Sequence, residues 1–283
     1  MSDDSPQPLK KRASQSPGNL STVYVPIITK IFDERYRSGA SSVIFSLDDV
    51  RNAALALGVE TRNPADVIYR MRSRTILPQK ILDAGFHVLR PIGRGQYAFE
   101  KATTTIFEPP FTESVTVIDM TPLPVRRLLP ITLAEMDEQA ILAVASYCRV
   151  LDHFTGMTIY RLRSHVRKSV PGIGQAELDA IDVGIAGSEE EEPVVFPIEA
   201  KALADALNRV QIFNMVQYAK HYFPGLMVRP LAIKIDEVSV LHVMEFNSPA
   251  KPSGLKISKA ASYIIDTSEA QKNVIRSTNV PRQ

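Results

Sequence analysis

Apolar positions along the chain fall into two periodic blocks, about 21–101 and 131–266, separated by a proline-punctuated stretch. In the first block, "VYVPIITKIFDERYRSG" spaces its apolar residues along one helical face and stops at Gly39. "SLDDVRNAALALG" follows, with Ser46 placed to cap the helix, acids in the first turn and Gly58 past the end. "NPADVIYRMRSR" repeats the grammar, with Asn63 as cap and Pro64 at the first helical position. "FHVLRPIGRGQYAFEKA" then reads as two strands around a Gly93–Gly95 turn.

The second block opens with "TLAEMDEQAILAVASYCRVLDHF", an amphipathic helix that starts at a Thr132–Glu135 capping box. "MTIYRLRSHVRKSV" is a strand whose alternation places Arg161, Arg163, His165 and Arg167 on one face. "AELDAIDVGI" and "PVVFPIEAKA" are two further strands. "DALNRVQIFNMVQYAKHYF" is a helix stopped by Pro224, and "PLAIKI" and "VSVLHVMEF" are the last two strands. Helix, three strands, helix, two strands predicts an α/β (α+β) fold: a mixed sheet with helices packed on it. Residues 102–130 hold five prolines and read as an extended linker. The polar ends, 1–20 and 267–283, are expected to be disordered tails.

Composition adds limits. The 283 residues suffice for one large domain or two ordinary ones, and 45% hydrophobic with 23% charged residues is a globular profile. No apolar stretch has the length of a membrane span, and the N-terminus lacks the apolar core of a secretory leader, so no membrane association is expected. Cys148 is the single cysteine; an intramolecular disulfide is impossible and a reducing cytoplasm is the natural location. The five histidines show no zinc-like spacing. Net charge is +2, but residues 62–101 carry eight basic against three acidic residues. That local excess fits either a nucleic-acid surface or a solvated face. Three helices followed by a hairpin resemble a winged helix, with Arg70, Arg72 and Arg74 on the third helix, where a recognition helix meets the major groove, and Arg94 in the hairpin turn. The alternative is a small helical interaction domain with solvated arginines.

The second block carries the chemistry. Residues two apart in a strand share a face, so Glu177 and Asp179 point the same way, as do Glu199 and Lys201. Pairing the two strands gathers three carboxylates and an ammonium at one edge. Clustered carboxylates repel, and a hard divalent cation relieves the repulsion. Such an ion lowers the pKa of bound water and neutralises charge on a phosphoryl oxygen, while Lys201 orients water or stabilises the transition state. A salt-bridged sheet edge is the structural alternative, because Glu-x-Lys alone carries little information. Asp182 falls on the opposite face by alternation and competes less well as a ligand, unless a bulge reverses it. Gln211 interrupts an apolar helical stripe and either lies near the site or caps a backbone group. His165 and Arg167 are placed to touch strand phosphates or to stay solvated, and Glu138 lies at the edge of reach of the metal. The acidic run 189–192 reads as a solvated loop. Neither Gly93-x-Gly95 nor "PGIG" has the context of a phosphate-binding loop.

"ELD", twenty residues before "IEAK" on this element order, resembles the PD-(D/E)xK nuclease superfamily, over roughly residues 130–250. The wider stretch "RLRSHVRKSVPGIGQAELDAIDVG…FPIEAK" is similar to restriction-endonuclease-like proteins with an N-terminal DNA-binding region. The resemblance implies a restriction-endonuclease-like mixed sheet flanked by helices. It implies that Asp179 and Glu199 hold Mg²⁺ (Mn²⁺ substituting), that Glu177 is an added ligand or neighbour, and that Lys201 assists the water. Leu178 stands where the family's name has proline. It further implies a type II restriction enzyme acting on double-stranded DNA, with a cognate DNA methyltransferase as genetic partner. One such site cuts one strand, so double-strand cleavage calls for a homodimer. Two other readings stay open: a non-catalytic winged-helix regulator, and a repair nuclease that reads DNA structure.

Overall fold

The computed structural model describes residues 18–61, 63–73, 76–119, 136–185 and 192–266. Its first unit runs α1 (Gly18–Arg35), β1 (Ser42–Ser46), α2 (Leu47–Ala56), α3 (Pro64–Ser73), α4 (Gln79–Asp83), β2 (Phe86–Gly93) and β3 (Gln96–Lys101). The helices start where side chains satisfy their free N–H groups. Ser46 Oγ accepts from the Asp49 N–H at 3.3 Å while the Asp49 carboxylate accepts from the Ser46 N–H at 2.7 Å. Asn63 Oδ1 accepts from the Ala65 N–H at 3.1 Å. Gly95, at φ +69°, supplies the left-handed residue of the hairpin turn. β1 is an addition to the predicted elements. Its Val43 and Phe45 alternate into the core beside Phe32 and Phe99, and it pairs with β3 to give the strand order β1-β3-β2.

The stretch expected as a linker is partly sheet. β4 (Ile106–Phe107) pairs with β9 (Leu207–Asn208), and β5 (Val115–Asp119) runs parallel to β12 (Ile257–Asp266) at the margin of the large sheet. Pro109 and Pro110 lie between β4 and β5, where no ladder N–H is needed.

The second unit begins with α5 (Glu138–Tyr147), capped by Asp137 Oδ1 accepting from the Ala140 N–H at 2.8 Å. The expected Thr132–Glu135 capping box lies outside the described residues. The single helix predicted here is two, because Arg149 takes a left-handed φ of 55° and α6 (Val150–Thr155) starts anew. Then come β6 (Thr158–Val170), β7 (Gly174–Ile185), β8 (Val194–Lys201), α7 (Arg209–Tyr222), β10 (Leu231–Ile235), β11 (Val240–Phe246) and β12. The seven-stranded sheet has the order β5-β12-β11-β10-β8-β7-β6. β6, β7 and β8 form an antiparallel meander, and α7 carries the chain across to β10, parallel to β8. Phe196, Ile198 and Ile233 pack under α5 and α6, while Leu178, Ile181 and Ala232 pack under α7. The protein is therefore a mixed α/β structure with a large mixed sheet flanked by helices. Among the described residues, no helix is long and apolar enough to cross a membrane.

One buried cation ties the parts together. Arg209, 2% exposed at the start of α7, donates from Nε to the Thr104 carbonyl at 2.6 Å. Its Nη1 donates to the Pro252 and Leu255 carbonyls at 3.0 and 2.8 Å. Its guanidinium lies over the Phe107 ring at 4.4 Å. The first unit rests on α7 through α3, where the Asn208 amide donates to the Arg72 carbonyl at 3.3 Å.

Candidate active site

The β7–β8 ladder starts at Ala180↔Ile198, and the strands part beyond that pair. At the parting, Asp179 Oδ2 takes over from the ladder and accepts the Ala200 N–H at 2.8 Å. Glu199 and Lys201 occupy the last turns of the pleat of a strand buried along its whole length. They are 3% and 8% exposed, and Lys201 Nζ lies 2.7 Å from Glu199 Oε1. A cleft of about 330 Å³ is lined by Asp179, Glu199, Lys201 and, from α7, Gln211. His165, Arg167 and Glu177 complete the lining with exposed side chains.

Burial pushes the Glu199 carboxyl up to about 7; the nearby Lys201 ammonium opposes the rise, and the Asp179 and Glu138 carboxylates add to it. Burial works against the Lys201 ammonium, yet Glu199, Asp179 and Glu138 outweigh it and hold its pKa above the ordinary value. Glu138, in the first turn of α5, thus acts on the site through its charge.

The structure refines two expectations and corrects the single face of the β6 cations. First, Glu177, Asp179 and Glu199 line one cleft but are not equally placed. Glu177 is exposed and paired with Arg167 at 3.0 Å, and among the described residues no three acidic, histidine or cysteine side chains form a ligand cluster. Second, the cationic row on β6 does not share one face. A bulge between Arg161 and Arg163 breaks the alternation, and His165 takes a left-handed φ of 49°. Arg161 binds Asp182, the buried acid beyond the cleft, whereas Arg163 acts on Tyr218 of α7. Burial raises the Asp182 pKa, with Arg161 opposing. Third, the described arginines of α3 differ in their partners. Arg70 bonds Asp66 at 3.2 Å, and Arg72 turns toward α7, its guanidinium 5.9 Å from the Tyr69 ring and its pKa lowered by burial. Arg74 lies outside the described residues, as does the acidic run apart from the exposed Glu192. Arg94 is exposed in the hairpin turn.

Pattern reading missed Asn208, Arg209 and Asn214. Asn208 is the cap of α7, accepting from the Val210 N–H at 2.8 Å, and an Asn two residues ahead of an apolar helical stripe was a usable signal. Nothing local marks Arg209 or Asn214, since a polar residue on a mostly apolar helix reads as a solvated position.

No family model, no curated protein and no solved structure matches this chain. What stands in place of a relationship is a class: a mixed α/β protein with two carboxylates and a lysine gathered where two central strands part.

Proposed function

We propose that the chain is a divalent-metal-dependent endonuclease of double-stranded DNA, with a restriction-endonuclease-like catalytic sheet and a winged-helix first unit. The observation that carries the reading is the buried Glu199–Lys201 pair opening onto the same cleft as Asp179. A lone structural ion pair has no need of a second carboxylate or of an opening. The donor set suits Mg²⁺, which takes one or two carboxylates and keeps several waters. Asp179 and Glu199 would hold it, and the Ala200 N–H fixes the Asp179 carboxylate for that role. Bound there, the ion supplies charge neutralisation at a phosphoryl oxygen and a more acidic water.

The chain's own groups do the rest. Glu199 must give up its proton to act as a ligand. The Lys201 ammonium, on the cleft wall, holds the attacking water and meets the charge that develops on the phosphoryl group. The water oxygen bonds to phosphorus as its proton passes to solvent, and the bond from phosphorus to the sugar oxygen breaks, the sugar oxygen taking a proton back from solvent. Gln211 positions water or phosphate by its carboxamide, and His165 and Arg167 contact strand phosphates. Glu177, neutralised by Arg167, is left out of the ligand set. The strand order β1-β3-β2 behind α2 and α3 supports the winged-helix reading. A second copy would cut the second strand. A restriction role beside a methyltransferase rests on the family resemblance alone.

The test is incubation of unmodified phage-sized DNA with the chain in about 10 mM Mg²⁺ or in EDTA. Discrete Mg²⁺-dependent fragments, reduced at least about 100-fold in rate by Lys201→Ala with binding in Ca²⁺ retained, are expected. Intact DNA with both Mg²⁺ and Mn²⁺ would leave a DNA-binding regulator as the reading.

A further inference from the structure

A second cavity, of about 170 Å³, lies between the two units. Its walls include Tyr69 and Arg72 of α3, Arg167 of β6, Gln175 of β7, and Gln211 and Asn214 of α7. It shares Arg167, Gln211 and Glu177 with the cleft described above, so the two spaces adjoin. At about 30 Å³ per water, it is several times larger than a single hydration site.

Asn214 sets this cavity apart. It is 6% exposed, and its Oδ1 has no hydrogen-bond partner among the described residues. Buried polar atoms are almost always paired, so a covered acceptor without a partner, on a side chain that lines an open pocket, points to a ligand that the carboxamide turns to meet. The rest of the lining defines that ligand. Three carboxamides offer donors and acceptors suited to the edge of a heterocycle. Tyr69 and the Arg72 guanidinium offer flat faces for stacking. Arg72 and Arg167 against Glu177 leave one net positive charge, the complement of one phosphodiester.

We propose that this cavity receives one nucleotide of the substrate strand, with its base held by Asn214 and its phosphate neutralised by Arg72. A base still paired in a duplex cannot enter a space walled by both units, so the nucleotide is taken out of the stack. The proposal deepens the nucleic-acid reading of the adjoining cleft and rests on it.

The experiment titrates dAMP, dGMP, dCMP and dTMP into the full-length chain in EDTA, by calorimetry or NMR. Selective binding is expected: one or two of the four saturate. Asn214→Leu weakens them about tenfold, the scale of one lost hydrogen bond. Arg72→Ala weakens all alike. Because Asn214→Leu keeps the volume and removes an unpaired buried acceptor, its Tm stays level or rises; a fall would assign Asn214 to structure and overturn the proposal. Equal affinity for all four nucleotides, or identical isotherms for the wild type and Asn214→Leu, would overturn it as well. Mg²⁺-dependent cleavage, assayed on the same preparations, separates the two ideas. Cleavage without selective nucleotide binding removes only the pocket, and selective binding without cleavage removes only the nuclease.

Discussion

Lys201 Nζ and Glu199 Oε1 stand 2.7 Å apart, although the two residues are neighbours on one face of a single strand. Side chains two apart on a strand start about 6–7 Å from each other, so the lysine arm folds back along β8 to reach its partner. Burial ties the two charges together, because an ionised Glu199 in this position is compensated by the ammonium beside it. Asp179, fixed by the Ala200 N–H, brings a further negative charge to the same spot. The ammonium is thus held beside two carboxylates that a cation would otherwise have to neutralise.

A pH dependence follows from Glu199, whose pKa of about 7 in the folded protein exceeds the ordinary 4.5. The folded state binds this proton more tightly than the unfolded state does. The stabilising contribution is therefore complete below pH 4.5 and lost as pH rises through about 7. Without metal, the wild type should lose up to roughly 3 kcal/mol relative to Glu199→Gln over that window. Added Mg²⁺ competes with the same proton. Its apparent affinity should fall about tenfold per pH unit below 7. Melting temperatures of both proteins from pH 4.5 to 8, with and without Mg²⁺, measure both effects; parallel curves would rule them out.

Arg209 should be a stability residue. Replacing it with Met strands the carbonyls of Thr104, Pro252 and Leu255, which now accept its protons in the interior. The expected loss is about 3–5 kcal/mol in urea unfolding, since each orphaned buried acceptor costs about 1–3 kcal/mol. Arg209→Lys should recover only part of it, because one ammonium cannot span three carbonyls and also lie flat over Phe107. A loss under about 1 kcal/mol would show that water replaces the guanidinium.

The β6 cations divide into two kinds. Arg163 and Lys168 are exposed, and each Ala replacement should lower the slope of log binding constant against log salt by about 0.9 if it meets a DNA phosphate. Arg161 is committed to Asp182. Arg161→Ala should instead cost about 1–3 kcal/mol of stability and leave the salt slope unchanged. Fluorescence anisotropy with a labelled duplex in Ca²⁺, at several salt concentrations, reads the first; denaturant unfolding reads the second.

Local rules carried much of the fold. Ser46, Asn63 and Pro64 start helices, and Gly95 turns a hairpin, because capping and left-handed backbone are properties of a few adjacent residues. The alternation around Glu177–Asp179 and Glu199–Lys201 named the residues that line one cleft for the same reason: it needs only the period of a strand. Elements with weak local signals escaped: β1 is short, and β5 and β12 follow proline-rich or polar stretches, β12 being held by its ladder with β11, and β5 by its pairing with β12. The partnership of each charge was also beyond the pattern. Sequence spacing set Asp182 on the face opposite Glu177 and Asp179, but it named no partner for any of the three. The bulge in β6, the parting of β7 from β8 and the packing of α3 on α7 decide that Glu177 meets Arg167, Asp179 meets a backbone N–H and Asp182 meets Arg161. Sequence by itself determined which residue types lie on which strand. The tertiary structure decided which of them lose water together, and burial is what turns a carboxylate and a lysine into a coupled pair.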